Sequence, residues 1–504
     1  MKKLNKQIII YHLNDDHARV STNDDDKKAI GLDKISKLVN LTLLNNKNTF
    51  LFHAGDCLHG LPRANISQGE NIVKLLNPTH LNALCPGNHE WNMGYEQLCK
   101  LSKKLKAYIL CANIVDKVTK SFIFPPYIIY DVDLNQDDYI SENSNTSTKD
   151  NIKIGVFGLA TPETAYKTHP DNVKNVEFLN PIIAAKNIIN TLSNTCDIII
   201  ALTHLGLDNS SEFTSKILAE QVNNIDIIID GHSHTKLEHG LKINNTLIVQ
   251  AECHQHFLGK IILDIENKKI KNINAELLNE DQIDNLIKQP DTYISNKLNQ
   301  IDNEINQLLN KPLFVNTKEL SGDRLLVRRQ ESELGNLVAN ACRYYTNADI
   351  SITNGGDIRA SLLAKTITYK DILSIFPFQN TINTYEILGS IIKEMFEHSI
   401  EFTPASFGGF LSVSSNVKII CNLNNPPKQR VQQIYINNQL LDNNNIYIIS
   451  MTNFIAAGGD DYSMLKDLKL VNTYDTLEKI LINYFTQKGI NEEDYKLGNL
   501  IIKD

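Results

Sequence analysis

Five apolar runs in the first half of the chain each end close to side chains that can bind metal ions. In chain order, the runs and their following residues are IIIYHL with Asp15 and His17, TFLFHAG with Asp56, the run before CPG with Asn88 and His89, DIIIALT with His204, and IDIIIDG with His232 and His234. Oxygen and nitrogen ligands suit divalent ions, and one shared carboxylate suits two ions close together. One histidine after a strand is usually structural, but five coincidences in order are much less common. The pattern predicts a site for two divalent ions (Mn, Zn, Co or Fe), with Asp56 as a natural bridge.

The elements that must position these side chains are the strands of an α/β fold. β-like runs alternate with helix-like segments such as DKISKLVNLTLL and ENIVKLLN, which is typical of layered α/β proteins. In open α/β sheets, ligands collect at the carboxyl ends of the strands. Residues two apart on an extended segment point the same way, so we expect Asp15 with His17, and His232 with His234, to reach one site.

The length of 504 residues favours two domains. Apolar residues at helical spacing over residues 278–311 predict a connecting helix, interrupted near Pro290. We therefore expect a first domain over residues 1–277, a linker over 278–317 and a second domain over 318–504.

Composition limits the kind of partner and the location. A net charge of −8 and a pI near 6.0 argue against binding to a nucleic-acid polymer or an anionic membrane, but allow a small anionic substrate. No apolar run is long enough for a transmembrane helix. The eight cysteines are scattered without a CxxC pair, and the N-terminal apolar run is short and lacks a cleavage site. We expect a cytoplasmic protein, or a periplasmic or secreted one if the start has been trimmed; the oligomeric state is left open.

Three blocks of the second half have features of a ligand site. In SITNGGDIRASL, Gly355 and Gly356 would let the backbone approach a ligand closely, and Arg359 could contact a phosphate through two hydrogen bonds. IFPFQNT and TNFIAAGGDDY each place an aromatic residue, Phe378 or Phe454, beside turn residues. Each aromatic can be either a core residue or a stacking surface.

The blocks NDDH, GDCLHG, GNHEW, THLG and GHSHT, in this order, resemble the signature of the calcineurin-like metallophosphatases of the 5′-nucleotidase family. The resemblance covers nearly the whole chain. It implies a four-layer metallophosphoesterase α/β sandwich joined by a helix to a smaller α/β substrate-binding domain. By the same resemblance, one ion would bind Asp15, His17, Asp56 and His234, and the other Asp56, Asn88, His204 and His232. His89 would be the catalytic residue that faces the phosphate.

The C-terminal blocks resemble the substrate motifs of the same family. That similarity implies that Phe378 and Phe454 enclose the base and that Asp460 contacts the ribose. It also implies a substrate role for the residues Arg328, Asn354, Gly356 and Arg359. Arg328 and its neighbour Arg329 could equally be a solvated pair.

The implied activity is metal-dependent hydrolysis of nucleotide phosphate esters, as in a 5′-nucleotidase that releases nucleoside and phosphate. The chain departs from the family at Asn92, where an Asp usually partners the catalytic histidine; an Asn can accept a hydrogen bond from His89 but cannot stabilise its charge. The Asn form also resembles the 2′,3′-cyclic-nucleotide 2′-phosphodiesterase/3′-nucleotidase branch. The resemblance is compatible as well with a UDP-sugar hydrolase, and with a nucleotide-binding protein that has lost catalysis.

A second departure is the stretch AECHQHFLG, in which His254 and His256 flank Gln255. It allows a third metal site, but exposed histidines on a strand are the favoured interpretation.

Overall fold

A computed structural model describes residues 6–24, 28–134, 151–168, 170–209, 211–378 and 380–503. The chain divides into two compact units, Met1–Ile305 and Asn306–Asp504. In the described residues, no helix is long and apolar enough to cross a membrane.

The first unit contains two six-stranded sheets and one two-stranded sheet. Its strands are β1 Lys6–Leu13, β2 Thr49–His53, β3 Leu81–Leu84, β4 Tyr108–Ile109, β5 Ile114–Asp116, β6 Tyr127–Asp133, β7 Asn151–Ala160, β8 Val176–Phe178, β9 Ile198–His204, β10 Ile227–Ile229, β11 Leu241–Ile243, β12 Thr246–Val249, β13 Leu258–Glu266 and β14 Lys269–Leu278. The strand orders are β14-β13-β1-β2-β3-β4, β11-β12-β10-β9-β7-β6 and β5-β8. In the large sheets, β1, β2, β3 and β4 are parallel, as are β7, β9, β10 and β12.

The two large sheets of the first unit pack face to face through an apolar core. Alternate residues such as Ile8, Ile10 and Phe52 from one sheet contact Ile154 and Ile200 from the other. The opposite face of the second sheet packs against two amphipathic helices. The alternation therefore gives the layered α/β sandwich that the sequence pattern predicts.

The first unit contains ten α-helices among the described residues, and the last of them crosses the division between the two units. They are α1 Leu32–Asn45, α2 Pro62–Asn65, α3 Glu70–Leu76, α4 Tyr95–Lys104, α5 Thr164–Lys167, α6 Pro170–Val173, α7 Pro181–Leu192, α8 Ser215–Gln221, α9 Glu280–Leu286 and α10 Thr292–Leu309, with a 3-10 helix at His89–Met93. Pro290 lies between α9 and α10, as expected for a residue that interrupts a helix. The division between the units falls within α10.

The second unit is a smaller mixed α/β structure. Its strands are β15 Pro312–Val315, β16 Ile350–Asn354, β17 Thr366–Thr368, β18 Thr381–Leu388, β19 Leu411–Val413, β20 Val417–Asn422, β21 Val431–Ile436, β22 Gln439–Leu440, β23 Ile446–Thr452, β24 Lys469–Thr476 and β25 Leu500–Lys503. They form sheets of order β19-β16-β23-β18-β24, β22-β21-β20-β25 and β15-β17. Its helices are α11 Arg324–Val327, α12 Glu333–Thr346, α13 Tyr369–Ile375, α14 Gly389–Ile400, α15 Asn453–Ala456 and α16 Leu477–Gln487, with 3-10 helices at Gly459–Asp461, Ser463–Leu465 and Glu492–Asp494.

Candidate functional site

The predicted metal ligands of the first unit meet at the carboxyl ends of β1, β2, β3, β9 and β10. Parallel strands end on the same side of their sheet, so the residues that follow them converge. His204 is the last residue of β9, and the other ligands lie in the loops that follow the remaining four strands. This edge is therefore where the fold collects the imidazole and carboxylate groups.

Short distances join the predicted ligands across the two sheets. His234 Nε2 lies 3.4 Å from Asp15 Oδ1 and 3.3 Å from His17 Nε2. His204 Nε2 lies 3.2 Å from Asp56 Oδ2. The remaining two predicted ligands also meet, since His232 Nδ1 lies 2.9 Å from Asn88 Oδ1.

Three groups of donor atoms at this edge are compact enough to hold an ion. In each group, one donor atom from every residue lies within 4.8 Å of the others; the groups are Asp15 with His17 and His234, His17 with Asp56 and His89, and Asp15 with Asp56 and His204. Asp15, His17 and Asp56 each belong to two of these groups, so the groups overlap and a carboxylate can be shared between two neighbouring ions.

The paired ligands converge for a different reason from the one that the sequence suggested. Asp15 and His17 have φ angles of 53° and 47°, and His232 and His234 have φ angles of 77° and 51°. These four residues are therefore in the left-handed region and not on extended strands, so alternation along a strand does not aim them. Non-glycine residues in this region are strained, and such strain is concentrated at functional sites.

The electrostatics of the site favour a bound cation. Burial disfavours the charged form of His204, but the carboxylates of Asp56 and Asp15 outweigh burial and raise its pKa to about 10. Hydrogen bonds to Asp15 and Cys253 raise the pKa of His234 to about 10 as well. Burial raises the pKa of Asp56, yet the nearby histidines, His204 first, hold it well below its usual value. The two protonated imidazoles thus supply the positive charge that balances the buried carboxylates. A bound cation would supply that charge in their place.

One buried atom fits metal coordination better than hydrogen bonding. His204 Nε2 is fully buried and has no hydrogen-bond partner, while its Nδ1 lies 2.6 Å from the carbonyl oxygen of Ala54. With an ion bound in place of the extra proton, a neutral ring would still donate from Nδ1 to that carbonyl, and its Nε2 lone pair would face the ion beside Asp56 and Asp15. The residues at this edge therefore fit a divalent ion.

Close backbone approach requires glycine beside these ligands. A Cβ atom on Gly87 would lie 2.2 Å from Asp56 Oδ1, and one on Gly231 would lie 2.9 Å from Asp15 Oδ2. A side chain at position 87 would displace the Asp56 carboxylate, and one at position 231 would collide with Ala54 O at 2.7 Å, with His204 Nδ1 at 2.8 Å and with Asp15.

His89 lies beside the donor cluster, and Asn92 fixes the orientation of its ring. His89 N donates to Asp56 Oδ1 at 2.8 Å, and Asn92 Nδ2 lies 2.8 Å from His89 Nδ1. The Asn92 Oδ1 is already used, since it accepts a hydrogen bond from Thr168 Oγ1 at 3.2 Å. In this orientation of the amide, Nδ2 donates to His89 Nδ1, which places the proton of a neutral ring on Nε2. The Asn92 amide is thus shared between the His89 ring and the Thr168 hydroxyl.

Glu90 is a structural residue of the site that the sequence did not reveal. Its side chain is buried and accepts hydrogen bonds from the backbone N–H groups of Asp56, Cys57, Leu58 and Gly87, at 2.7–2.9 Å. One carboxylate thus ties the loop after β2 to the loop after β3. Its position between His89 and Trp91 in GNHEW is a signal, but spacing alone does not distinguish a buried anchor from a surface acid.

We expect Glu90→Gln to lower the free energy of unfolding by about 3 kcal/mol. Hydrogen bonds to a charged acceptor contribute roughly 1.5–3 kcal/mol each, and an amide would also turn an N–H group towards backbone donors. Trp91 is the single tryptophan of the chain and is buried, so its fluorescence in denaturant reports on this region. Glu96→Gln, at an exposed position on α4, is the matched control. Equal midpoints for the two variants would contradict the anchoring role.

In the second unit, several of the predicted substrate residues surround the end of β16. Asn354 Nδ2 donates to Asp460 Oδ2 at 3.2 Å, and Gly356 N donates to the carbonyl oxygen of Gly408 at 2.7 Å. A Cβ atom on Gly356 would lie 2.9 Å from Asn354 Nδ2 and 3.5 Å from Asp460 Oδ2, so glycine keeps this surface open. Asp460 has a φ of 50° and is half-buried, and burial raises its pKa.

Cationic side chains lie beside this surface. Burial lowers the pKa of the Arg328 guanidinium, and the nearby charges of Arg324 and Arg359 lower it further. Arg328 is thus part of a group of three arginines and not of a solvated pair with Arg329, which is exposed. Mutual repulsion among these charges favours the binding of an anion. Arg324, one helical turn before Arg328, was missed because DRLLVR reads as an ordinary amphipathic segment.

The two predicted stacking residues are exposed aromatics. Phe378 and Phe454 have 52 % and 41 % of their surface accessible, so neither is a core residue. The guanidinium of Arg359 lies 5.3 Å from the centre of the Phe378 ring. The Phe454 ring covers Gly459, where an added Cβ atom would lie 2.5 Å from Phe454 Cζ. Both aromatic rings therefore present an exposed face close to residues that are predicted to bind the phosphate and the ribose.

His254 and His256 are not exposed histidines on a strand, as the sequence favoured. They lie in the loop between β12 and β13, and both are half-buried. The His254 ring centre lies 5.8 Å from that of His17 and 6.0 Å from that of His234. The stretch is therefore next to the metal-binding edge.

Comparison with known proteins identifies both parts of the chain. Residues 8–236 match the family model of the calcineurin-like phosphoesterases, and residues 315–467 match that of the 5′-nucleotidase C-terminal domain. The chain is 27 % identical to the trifunctional nucleotide phosphoesterase protein YfkN of Bacillus subtilis over 98 % of its own length, but spans only 34 % of that protein. It is 26 % identical to a 5′-nucleotidase of Vibrio parahaemolyticus, covering 95 % of this chain and 89 % of that one.

Solved structures share the fold. The 5′-nucleotidase precursor from Thermus thermophilus superimposes with a TM-score of 0.60 and 23 % identity, covering 98 % of this chain and 99 % of that one. The NAD nucleotidase NadN of Haemophilus influenzae gives a TM-score of 0.65 and 20 % identity with the same coverage of both chains. With both domains matched in order, the chain belongs to the 5′-nucleotidase family and is a phosphoric ester hydrolase that uses divalent metal ions to hydrolyse nucleotide phosphate esters.

Proposed function

We propose that the protein is a 5′-nucleotidase that releases nucleoside and phosphate with two divalent ions bound at the edge of the first unit. The observation that carries the proposal is the cluster of Asp15, Asp56 and His204, in which a buried imidazole nitrogen without a hydrogen-bond partner faces two carboxylates. We propose residues 1–277 as the hydrolytic domain, 278–317 as the linker and 318–504 as the substrate-binding domain.

The proposed ligand sets are those of the family resemblance, and one donor group, Asp15 with His17 and His234, falls entirely within the first set. One ion would be held by Asp15, His17, Asp56 and His234, and the other by Asp56, Asn88, His204 and His232. The two contacts His17–His234 and Asn88–His232 support this division, because each joins members of the same set. Bound divalent ions would lower the pKa of water and polarise the phosphoryl oxygens. The mixed oxygen and nitrogen donors suit Mn, Zn, Co or Fe.

His89 would serve the reaction as a hydrogen-bond donor. Because Asn92 Nδ2 donates to His89 Nδ1, the neutral ring carries its proton on Nε2, the nitrogen that remains for a ligand. From there the N–H can stabilise charge on a phosphoryl oxygen by a hydrogen bond, whereas transfer of a proton to the leaving oxygen would require the doubly protonated ring. Asn92 acts by orienting the ring.

The second unit would bind the nucleotide. Phe378 and Phe454 offer faces for the base, and Asp460, held by Asn354, offers a carboxylate for ribose hydroxyls. Arg328 and Arg359, together with Arg324, supply positive charge for a phosphate, and Gly356 keeps the backbone accessible.

We expect Phe454→Ala to raise KM for AMP about 10-fold and to leave kcat within about 3-fold. Stacking on an aromatic ring contributes about 1–3 kcal/mol per base, and 1.4 kcal/mol corresponds to a factor of ten. Steady-state kinetics with AMP measures both constants. Phe122→Ala, an aromatic of similar exposure in the first unit, should leave KM unchanged. An unchanged KM in Phe454→Ala would remove this residue from the substrate site.

Asn92 distinguishes the 5′-nucleotidase from a 2′,3′-cyclic-nucleotide 2′-phosphodiesterase/3′-nucleotidase. In Asn92→Asp, a carboxylate next to His89 Nδ1 stabilises the doubly protonated ring, so the proton donor persists to higher pH. We expect kcat/KM for AMP to rise about 10-fold, which is the lower end of the effect that such hydrogen-bond partners have. We also expect the alkaline limb of the pH profile to move to higher pH. Asn172→Asp, which places a charge near Asn92 without contact to His89, is the control.

The substrate panel for this pair of variants is AMP, 3′-AMP, 2′,3′-cyclic AMP and UDP-glucose. AMP as the best substrate, with a faster Asn92→Asp variant, supports the proposal. Faster hydrolysis of the cyclic or 3′ substrate, with a slower variant, would establish the cyclic phosphodiesterase, and UDP-glucose as the best substrate would establish a UDP-sugar hydrolase. Nucleotide binding without phosphate release by the metal-loaded protein would leave only a binding function.

We also propose a cytoplasmic location. All eight cysteines carry free thiols, six of them buried, which suits a reducing compartment. Immunodetection in separated cytoplasmic and periplasmic fractions of the source cells tests this, and recovery in the periplasmic fraction would contradict it.

A further inference from the structure

A second type of donor cluster lies in the loop between β12 and β13. Donor atoms of Glu252, Cys253 and His256 all lie within 4.8 Å of one another. His256 Nδ1 is 2.8 Å from Glu252 Oε1. None of these residues belongs to the proposed ligand sets of the two catalytic ions, so the cluster needs an explanation of its own.

The backbone holds these donors together independently of any ion. His254 N donates to the carbonyl oxygen of Asp15 at 2.9 Å, and Asn14 Nδ2 donates to the carbonyl oxygen of Glu252 at 2.6 Å. His256 N closes a turn on the carbonyl oxygen of Cys253 at 3.0 Å. Glu252 and His254 have φ angles of 61° and 56°, which place this part of the loop in the left-handed region. The donors are therefore already gathered before an ion binds.

The chemistry of the three donors selects a particular class of ion. A thiolate, an imidazole and a carboxylate are the usual ligands of Zn²⁺, and bonds of about 2.0–2.3 Å in a tetrahedral arrangement place neighbouring donors about 3.3–3.8 Å apart. The Glu252–His256 distance of 2.8 Å is that of a hydrogen bond and is shorter than this spacing, so the two side chains have to separate slightly to admit an ion. Thiolate does not suit hard ions such as Mn²⁺ or Mg²⁺, which prefer oxygen ligands.

We propose that Glu252, Cys253 and His256 bind a third metal ion, of the thiophilic divalent class that Zn²⁺ and Co²⁺ represent. Three protein ligands leave the fourth tetrahedral position to water or a small anion. Cys253 also contacts His234, a proposed ligand of the catalytic ions, so the third ion lies next to the hydrolytic site without sharing its ligands. The competing interpretation is that Cys253 only orients His234 through a hydrogen bond.

Metal content after equilibrium dialysis against Zn²⁺ tests the proposal. We expect the wild-type protein to hold one equivalent of zinc more than Cys253→Ser or His256→Gln, and all three to hold equal amounts of Mn²⁺ after dialysis against Mn²⁺. His254→Gln and Cys99→Ser are the matched controls, because neither residue belongs to the cluster, and both should keep the wild-type zinc content. Equal zinc content in wild type and both cluster variants would overturn the proposal.

Absorption of the Co²⁺-loaded protein provides a second readout that does not depend on counting ions. Thiolate bonded to Co²⁺ gives an intense near-ultraviolet charge-transfer band, which oxygen and nitrogen ligands do not give. We expect this band in the wild type and in Cys99→Ser, and its loss in Cys253→Ser. Absence of the band in the wild type, or its persistence in Cys253→Ser, would show that Cys253 is not a ligand and that its contact with His234 is only a hydrogen bond.

Discussion

Asp56→Asn is expected to reduce phosphate release from AMP by at least about 10³-fold and to lower the metal content of the purified protein. Asp56 is buried, belongs to two of the compact donor groups and is the proposed bridging ligand. Bound ions contribute several kcal/mol of charge stabilisation to such reactions, and about 4 kcal/mol corresponds to a factor of 10³. Asn preserves the shape of the side chain, so the loss reports on charge and coordination.

The control for this substitution is Asp226→Asn. Asp226 is also largely buried and accepts a hydrogen bond from Ile199 N at 2.8 Å, but it precedes β10 and so lies at the opposite end of that strand from the site. We expect Asp226→Asn to keep the wild-type metal content and to retain most of the activity. An Asp56→Asn protein with full metal content and more than about a tenth of wild-type turnover would show that Asp56 is not a bridging ligand.

His89→Gln is expected to lower kcat by about 10²–10⁴-fold, the usual range for a residue that transfers a proton in the transition state. The structure also groups His89 with His17 and Asp56 as a possible set of metal donors. Metal analysis separates the two roles: a proton donor can be removed with both ions retained, whereas removal of a ligand lowers the metal content.

His59→Gln is the control for His89. The His59 ring stacks on that of His89, with centroids 5.6 Å apart and planes at 9°. Removing it changes the packing of the His89 ring and a 3.4 Å contact between His59 Nδ1 and Asn92 Nδ2, but not the proposed His89 proton, so we expect a much smaller loss of kcat. A larger loss in His59→Gln than in His89→Gln would exchange the roles of the two residues.

The sequence predicted which side chains gather at this edge because potential metal ligands follow strands in a regular way. Each apolar run that precedes Asp15, Asp56, Asn88, His204 or His232 forms a strand, and their carboxyl ends meet as parallel pairing requires. The direction in which each of these side chains points was not predictable from the sequence. It depends on left-handed backbone at non-glycine positions, which the alternation of an extended strand does not reveal.

Residues whose role depends on buried, long-range hydrogen bonds could not be recognised from the sequence either. Glu90 differs from a surface acid only because four backbone N–H groups converge on it from two loops. Asn92 was recognised as a departure, but the direction of its hydrogen bond depends on Thr168, which is 76 residues away in the chain. Long-range partners of this kind are set by the tertiary structure and have no local pattern.

In the second unit, the sequence left open whether Phe378 and Phe454 are core residues. Local pattern cannot decide this, because buried and stacking aromatics both occur beside turns. Their exposure and the neighbouring Arg359, Asp460 and Gly459 favour a binding surface. Arg324 could not be recognised from local pattern either, because the fold brings it close to Arg328 and Arg359.

The most direct test of metal-dependent 5′-nucleotidase activity is phosphate release from AMP by one protein sample in three states: as purified, after removal of metals by a chelator, and after addition of Mn²⁺. We predict that chelation abolishes phosphate release, that Mn²⁺ restores it, and that adenosine accumulates in equal amount to phosphate. Undiminished phosphate release by the metal-free protein, or no phosphate release from AMP by the protein loaded with Mn²⁺, would contradict the account.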